Sequence, residues 1–349
     1  MSGYRIKFNG VEKIYDSYSW RIARRAKEVW KSGSFISSRH MEGTYLDKFE
    51  KATAKYANRK FGIAVGSGTD ALYFALRAKG IGPEAIKRTG ATIQFVDVDE
   101  NGLIGDIPMM GLPSAVVYVN LFGNLADYDR LRNYCDKHNI PLIEDAAQSL
   151  GSFYKKIPSG KLGDISSLSF APSKPLPCFG NGGMVLTDNE KEAEFVRSMR
   201  YHGTGTAMLH YGYNSCLSND HANILDFLLS KYKKLLSKTG KLRRSYDEKL
   251  FKLGISTMTT QNKTASNNHK LVIKAQDRDG LKTYLDGKGI QTQIHYVSPL
   301  SKMKMFYTND QMPNADRFCE DVLSLPIHPF MEEHEVAYVC KCIGEFYGV

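Results

Sequence analysis

Through the first two-thirds of the chain, short apolar runs rich in β-branched residues alternate with stretches whose apolar residues recur three and four apart. Ile63 to Val65, Ile93 to Val98, Ala115 to Asn120 and Pro141 to Glu144 have strand character, and Asp70 to Lys79 and Asp127 to His138 have helical spacing. This alternation predicts an α/β fold, a mostly parallel sheet sandwiched by helices. The tight Gly-Asn-Gly-Gly turn at Gly180 to Gly183 leads into a further strand, Met184 to Thr187. Past about Asn219 the pattern changes. A long helix carries Ile224, Leu225, Leu228, Leu229, Tyr232, Leu235 and Leu236 on one side. Strand candidates His269 to Ile273 and Gln291 to His295 then flank a helix near Arg278 to Gly287, and the polar stretch Thr259 to Asn268 reads as a loop. The expected division is a large unit over 1–225 and a smaller α+β unit over 226–349, with the N-terminal segment allowed a place on the smaller one.

At 349 residues the chain exceeds what one core of ~250–300 residues holds, which supports two units. No apolar run approaches the ~18–20 residues of a membrane span, and the start, Met1-Ser-Gly-Tyr-Arg-Ile6, lacks the layout of a signal peptide, so a cytoplasmic location is expected. The six cysteines lack metal-ligand spacing and are read as reduced thiols; no metal site is expected. A net charge of +10 favours an anionic partner. The seven Lys/Arg between Lys231 and Arg244 fit the solvated face of the long helix, and without zinc-finger spacing or an RNP-like motif a nucleic acid is not expected.

Candidate chemistry centres on two residues. Asp145 ends the apolar run in Glu-Asp-Ala-Ala-Gln (Glu144 to Gln148), at the carboxyl end of a strand where ligands of such sheets collect. Lys174 closes Ser-Leu-Ser-Phe-Ala-Pro-Ser-Lys (Ser167 to Lys174). Singly, Asp145 reads as a structural cap and Lys174 as a surface lysine. Together they are what a pyridoxal 5′-phosphate (PLP) site needs: an amine to form a Schiff base with the cofactor aldehyde, and a carboxylate to keep the pyridine nitrogen protonated. Gly66-Ser-Gly-Thr-Asp-Ala-Leu72 lies between a strand and a helix, where backbone amides bind phosphate, although such turns also serve only to connect. Ser169 could add a hydroxyl to the same phosphate.

In this order the motifs resemble the DegT/DnrJ/StrS-type PLP-dependent nucleotide-sugar aminotransferases, which have the fold of aspartate aminotransferase, fold type I. The matching pieces are Ser67 to Leu72, Phe95 to Asp99, Glu144 to Gln148, Ser169 to Lys174, Gly182 to Thr187, Gly212 to Ser215 and Leu323 to His328, covering about Trp30 to Ile343. The resemblance implies that Lys174 is the Schiff-base lysine, that Asp145 partners the pyridine nitrogen and that Gln148 contacts the ring hydroxyl. Ser67, Gly68, Thr69 and Ser169 would hold the phosphate, with Asn214 reaching across from a second subunit of a homodimer. His295 and Tyr296 match a His-Tyr near the sugar substrate, although Val297 replaces the usual proline; for a lone histidine, a packing role stands beside this one.

Two departures stand out. After Gly80-Ile-Gly-Pro83 a strand and a loop with a ring-stacking aromatic are lacking, and Ala85 to Gly90 resembles the helix that normally follows. An internal deletion and a stretch omitted from the sequence as given both explain this. Omission is favoured, because removing a sheet strand strips backbone partners and core packing from its neighbours. Cys216 stands where the family usually has arginine, so recognition of a carboxylate or phosphate is altered there.

The implied reaction moves an amino group from L-glutamate to a keto group of a nucleotide diphosphate-linked deoxysugar, with Lys174 as the proton carrier. The rival reading is a catalytically impaired scaffold or binding partner, motivated by the missing segment. A nicotinamide-dependent enzyme ranks lower, for want of Gly-x-Gly-x-x-Gly after a first strand.

Overall fold

The structure is a computed structural model that describes residues 3–37, 42–81, 84–85, 88–89, 92–108, 111–204, 211–258, 264–306 and 311–349. In chain order the elements are α1 (Val11–Ser32), α2 (Tyr45–Tyr56), β1 (Phe61–Val65), α3 (Gly68–Ala78), β2 (Glu84–Ala85), β3 (Arg88–Thr89), β4 (Val116–Val119), α4 (Tyr128–His138) and β5 (Leu142–Asp145). There follow β6 (Phe153–Tyr154), β7 (Ile157–Pro158), β8 (Ile165–Ser169), β9 (Gly183–Thr187), α5 (Glu190–Arg200) and α6 (Asn219–Lys252). The chain closes with β10 (Thr264–Ala265), β11 (Leu271–Lys274), α7 (Arg278–Gly287), α8 (Pro313–Asp321), β12 (Val322–Leu325) and α9 (Glu333–Tyr347).

The main sheet has the order β1-β9-β8-β5-β4. β8, β5 and β4 are parallel neighbours, whereas β9 is antiparallel to both β8 and β1, so the α/β sheet is mixed with one reversed strand. Parallel neighbours need a crossover, usually a helix. Residues 170–182 between β8 and β9 carry no helix; they extend the ladder through Phe170 N–H to Gly182 O at 2.8 Å and fold back at the strand ends.

Side-chain alternation splits the sheet between two cores. Ile63, Val65, Ile143, Ile165 and Val185 pack with α3 and α5 on one face. Ala64, Leu168, Met184 and Leu186 pack with α1, α2 and the first half of α6 on the other. A further core joins β11, β12, α7 and α9 to Leu242, Tyr246 and Leu250 from the second half of α6, and to Ile6 from the N-terminal segment. The exposed positions of α6 include Lys233, Lys234 and Lys238, the solvated face expected of the basic helix.

Four expectations are corrected. Residues 93–98 form no strand, closing a single bridge from Val98 to Ile104. A strand needs a neighbour for its backbone groups, and β4 ends the main sheet with Val119 exposed. Residues 291–295 are shared one at a time between two neighbours: Gln291 N–H donates to Ile6 O, and Gln293 bridges Ser324, so no ladder extends. The helix expected over 85–90 is absent where described, because β2 pairs with β3 as a short antiparallel ladder; residues 83, 86, 87 and 90 lie outside the described residues. The polar stretch 259–268 is not all loop. Residues 259–263 lie outside the described residues, but β10 pairs with β6, and buried Asn267 donates to Gln148 O at 3.0 Å and Leu150 O at 2.9 Å.

Candidate active site

β5 sits between β4 and β8, and its last residue, Asp145, lies opposite Val119 at the end of β4 and Ser167 in β8. The Asp145 carboxylate accepts from Ala147 N–H at 3.0 Å and lies 3.5 Å from the Ser167 hydroxyl. Burial pushes its carboxyl above the ordinary carboxylate value, while the Ala147 amide and the charge of Lys174 pull the other way. Its neighbour Glu144 points to the opposite face and is fully buried. That carboxylate collects Asn120 Nδ2 (2.9 Å), the Ser159 hydroxyl (2.7 Å), the amides of Gly160 and Leu162 (3.0 Å each) and the Ser166 hydroxyl (2.8 Å). One residue is therefore poised for chemistry, and the next locks the strand that carries it.

Lys174 lies in the loop joining β8 to β9, its amide bonded to Ala171 O at 2.9 Å. Burial makes its amine less basic than an ordinary lysine, and Asp145 partly offsets this. The structure brings the two sequence-selected residues within each other's field, with the amine tuned toward its neutral, nucleophilic form.

The turn before α3 builds the third part. Ser67 caps the helix by accepting from Asp70 N–H at 3.1 Å, so Gly68 and Thr69 open the helix with amides that have no acceptor within it. A Cβ on Gly68 would fall 2.6 Å from Ser169 Cβ, and one on Gly183 only 2.2 Å from Ser67 O. Only glycine lets the β8 and β9 ends press against the helix start, which sets the Ser169 hydroxyl beside those amides. This donor set suits a phosphate dianion, so the residues present fit PLP: Lys174 for the aldehyde, Asp145 for the ring nitrogen, and Gly68, Thr69 and Ser169 for the phosphate.

Asn214 is exposed, on a segment anchored to the same turn. Its neighbour Ser215 accepts the Gly66 amide at 2.9 Å and donates its hydroxyl to Asp70 at 2.7 Å. Cys216, in the place of the expected arginine, is half-buried with its thiol directed at Arg200 O.

Gln148 is buried; its side-chain oxygen accepts from Phe122 N–H at 2.8 Å and its amide nitrogen reaches the Tyr296 hydroxyl at 3.3 Å. His295 lies beside it, Nδ1 2.8 Å from the Ser324 hydroxyl, its ring stacked on Phe8 at 5.7 Å. Burial, with the charges of Lys270 and Lys174, pushes the His295 imidazole down to about 4, so it is neutral at physiological pH.

Sequence reasoning passed over Phe8, Asn267, His269 and Lys270. Lys270 is 7% exposed and shares its strand phase with buried Val272, so a lysine on the inward phase of an apolar run was the available signal. A small cavity of about 80 Å³ opens between the Lys174 loop and the 267–269 segment, with Pro172, His269 and His328 in its wall. A larger groove of about 600 Å³, between Lys13 and Asp16 of α1 and Lys238 and Lys241 of α6, holds none of the candidate site residues.

The family model described as the DegT/DnrJ/EryC1/StrS aminotransferase family matches residues 19–344. The dTDP-3-amino-3,4,6-trideoxy-alpha-D-glucose transaminase of Streptomyces venezuelae is 32% identical, over 98% of this chain and 96% of its own. A pleiotropic regulatory protein of Geobacillus stearothermophilus is 31% identical over 97% of each; that alignment spans 367 positions, more than this chain contains. The UDP-2-acetamido-2-deoxy-3-oxo-D-glucuronate aminotransferase of Pseudomonas aeruginosa is 29% identical over 93% of this chain and 95% of its own. Among solved structures, a DegT/DnrJ/EryC1/StrS aminotransferase from Brucella abortus superposes with a TM-score of 0.91 at 27% identity, covering 99% of this chain and 100% of that one. DesV of S. venezuelae, in complex with a ketimine intermediate, also gives 0.91, at 29% identity and 98% of each chain.

Proposed function

Because this chain belongs to the DegT/DnrJ/EryC1/StrS aminotransferase family, it is a PLP-dependent aminotransferase, and we propose that it carries an amino group from L-glutamate to a keto group of a nucleotide diphosphate-linked deoxysugar. The observation that carries this reading is the Lys174 amine, made less basic by burial, acting within the field of Asp145 at the strand ends. When bound, PLP supplies an aldehyde that takes up the amino group and a ring that withdraws electrons from it. Lys174 Nζ takes the proton from Cα of the amino donor and, in the second half of the cycle, returns a proton to the sugar carbon. Asp145 accepts the hydrogen bond of the protonated ring nitrogen. Gly68, Thr69 and Ser169 orient the phosphate, while His295 and Tyr296 face the sugar.

Several finer points belong to the same proposal. Exposed Asn214 completes the phosphate site of a second copy, which makes the working unit a homodimer with shared sites. The two units meet within α6, the smaller from about 226 onward. The enzyme works in the cytoplasm, without membrane or nucleic acid, on amino sugars for surface polysaccharide such as lipopolysaccharide O-antigen or for other glycosylated products. Among the described residues, no helix is long and apolar enough to cross a membrane. Relatives named as sugar transaminases support the enzyme over the scaffold reading.

The deciding experiment is the visible spectrum of the protein incubated with PLP, before and after L-glutamate, with Lys174→Ala alongside. A yellow band that requires Lys174 and fades on adding glutamate, followed by amination of a nucleotide-linked keto sugar, is the expected result. A wild-type protein that binds no cofactor overturns the reading.

A further inference from the structure

Lys270 is a buried cation for which the reading above has no use. It precedes β11, its amide donates to Phe122 O at 3.2 Å, and its ammonium lies 4.6 Å from the Phe8 ring centroid. Phe8 stacks on His295 at 5.7 Å, and His295 meets Phe122 edge-on at 6.4 Å. The N-terminal segment, the 121–123 turn and the His295 wall thus close around it. No carboxylate acts on it among the described residues; burial and the charge of Lys174 hold its amine down to about 8. Burying an unpaired ammonium costs more than the face of one phenylalanine returns.

The described surroundings offer it no negative charge. His269 Nε2 is buried with no hydrogen-bond partner among the described residues, and its imidazole is pushed well below the ordinary value by burial and by the charges of Lys270, Lys174 and His295. Among the described residues, Asp145 is the one carboxylate acting on Lys174, and it is committed to the ring nitrogen in the proposed function. Lys270 is therefore a buried cation with neutral imidazoles beside it and no anion of its own, and an anionic ligand would supply one.

Resting on that proposed function, we propose that Lys270 binds a carboxylate of the amino-acid donor. The alternative anion is the diphosphate of the nucleotide sugar. The donor's carboxylate is favoured because it is bonded directly to the Cα from which Lys174 removes a proton, and Lys270 lies within the field of that amine. A diphosphate is bulky and sits at the far end of the sugar linkage, whereas Lys270 is enclosed.

The test uses maleate, a dicarboxylate with no amino group to transfer, titrated by calorimetry into wild-type, Lys270→Met and Lys270→Arg proteins with PLP added, and into the same proteins without it. Lys270→Met is expected to weaken maleate binding roughly thirtyfold while leaving the Lys174-dependent cofactor band and the affinity for UDP and dTDP unchanged. Lys270→Arg is expected to retain most of the maleate affinity. In the wild type, affinity falls as pH rises and Lys270 loses its proton, while His269 and His295 are already neutral. In Lys270→Met that dependence is shallower, since only the Lys174 nitrogen still titrates beside the site. Unchanged maleate binding in Lys270→Met, a flat wild-type profile, or loss of UDP rather than maleate binding overturns the proposal. A wild type without the cofactor band sinks the aminotransferase reading separately, since the maleate comparison on PLP-free protein still decides the role of Lys270.

Discussion

Glu144→Gln removes one formal charge and almost no volume, yet it is expected to destabilise the fold by about 2–4 kcal/mol. Both carboxylate oxygens of Glu144 act only as acceptors, from Asn120, Ser159, Gly160, Leu162 and Ser166. A glutamine must turn an NH₂ toward one side of that ring of donors. If it faces Leu162, that backbone amide opposes it while Gly160 keeps the other oxygen; if it faces Asn120, an amide meets an amide. The serine hydroxyls rotate to accept, but N–H groups do not, so one or two buried donors lose their partner at ~1–3 kcal/mol each. The loss of charge-assisted bonding adds to this. The assay is urea unfolding of wild type and variant at neutral pH, followed by circular dichroism. Because Glu144 faces away from Asp145, a variant kept below its transition is still expected to show the Lys174-dependent cofactor band. A shift below ~0.5 kcal/mol would refute the reasoning, since it would mean that the buried carboxylate is not what ties β4, the 157–162 turn and β8 together.

Three more outcomes are expected. Asp145→Asn abolishes transamination but raises the melting temperature of the PLP-free protein at pH 7. The carboxyl of Asp145 is raised in the fold, so its contribution is full below the unfolded value near ~4 and is lost as pH climbs through the folded value; the gap in thermal melts should close toward pH 4, and a lower variant melting point at pH 7 would contradict this. Gly183→Ala places a methyl 2.2 Å from Ser67 O, and overpacking of about 1–3 kcal/mol should weaken PLP binding in spectral titration by roughly 5- to 150-fold; an unaffected titration would show that the cradle can yield. The lowered basicity of Lys174 means that attachment of PLP, read from the yellow band, sets in at lower pH than for a free lysine side chain, and an onset near the ordinary lysine value would count against the assigned burial.

How much of this was legible depends on whether the signal was local. β1, β4, β5 and β9 with α3, α4 and α7 were readable because each is a self-contained periodic run with a cap or turn at its ends; α7 was anticipated at its observed bounds, Arg278–Gly287. Lys174 and Asp145 were readable because small-residue turns and strand ends are local marks. The reversed direction of β9 depends on what the 170–182 loop does at the strand ends, which its composition does not encode. Residues 93–98 have all the β-branched character a strand needs and no neighbour to pair with. The missed part of the site, Phe8 with His269 and Lys270, comes from segments more than 250 residues apart, and only the fold brings them to one place.

α6 has a consequence for how the enzyme handles its ligands. It is one helix of 34 residues, about 50 Å at ~1.5 Å per residue, embedded by its first half in one core and by its second half in another. Nearby, Asn267 is tethered to the Gln148 and Leu150 carbonyls. A single splint crossing both halves acts as a spacer: it fixes the gauge between the wall that bears Lys174 and the wall that bears His295 and Lys270. On the proposed function, the space that a substrate enters is then set by the length of this helix as much as by the residues that line it.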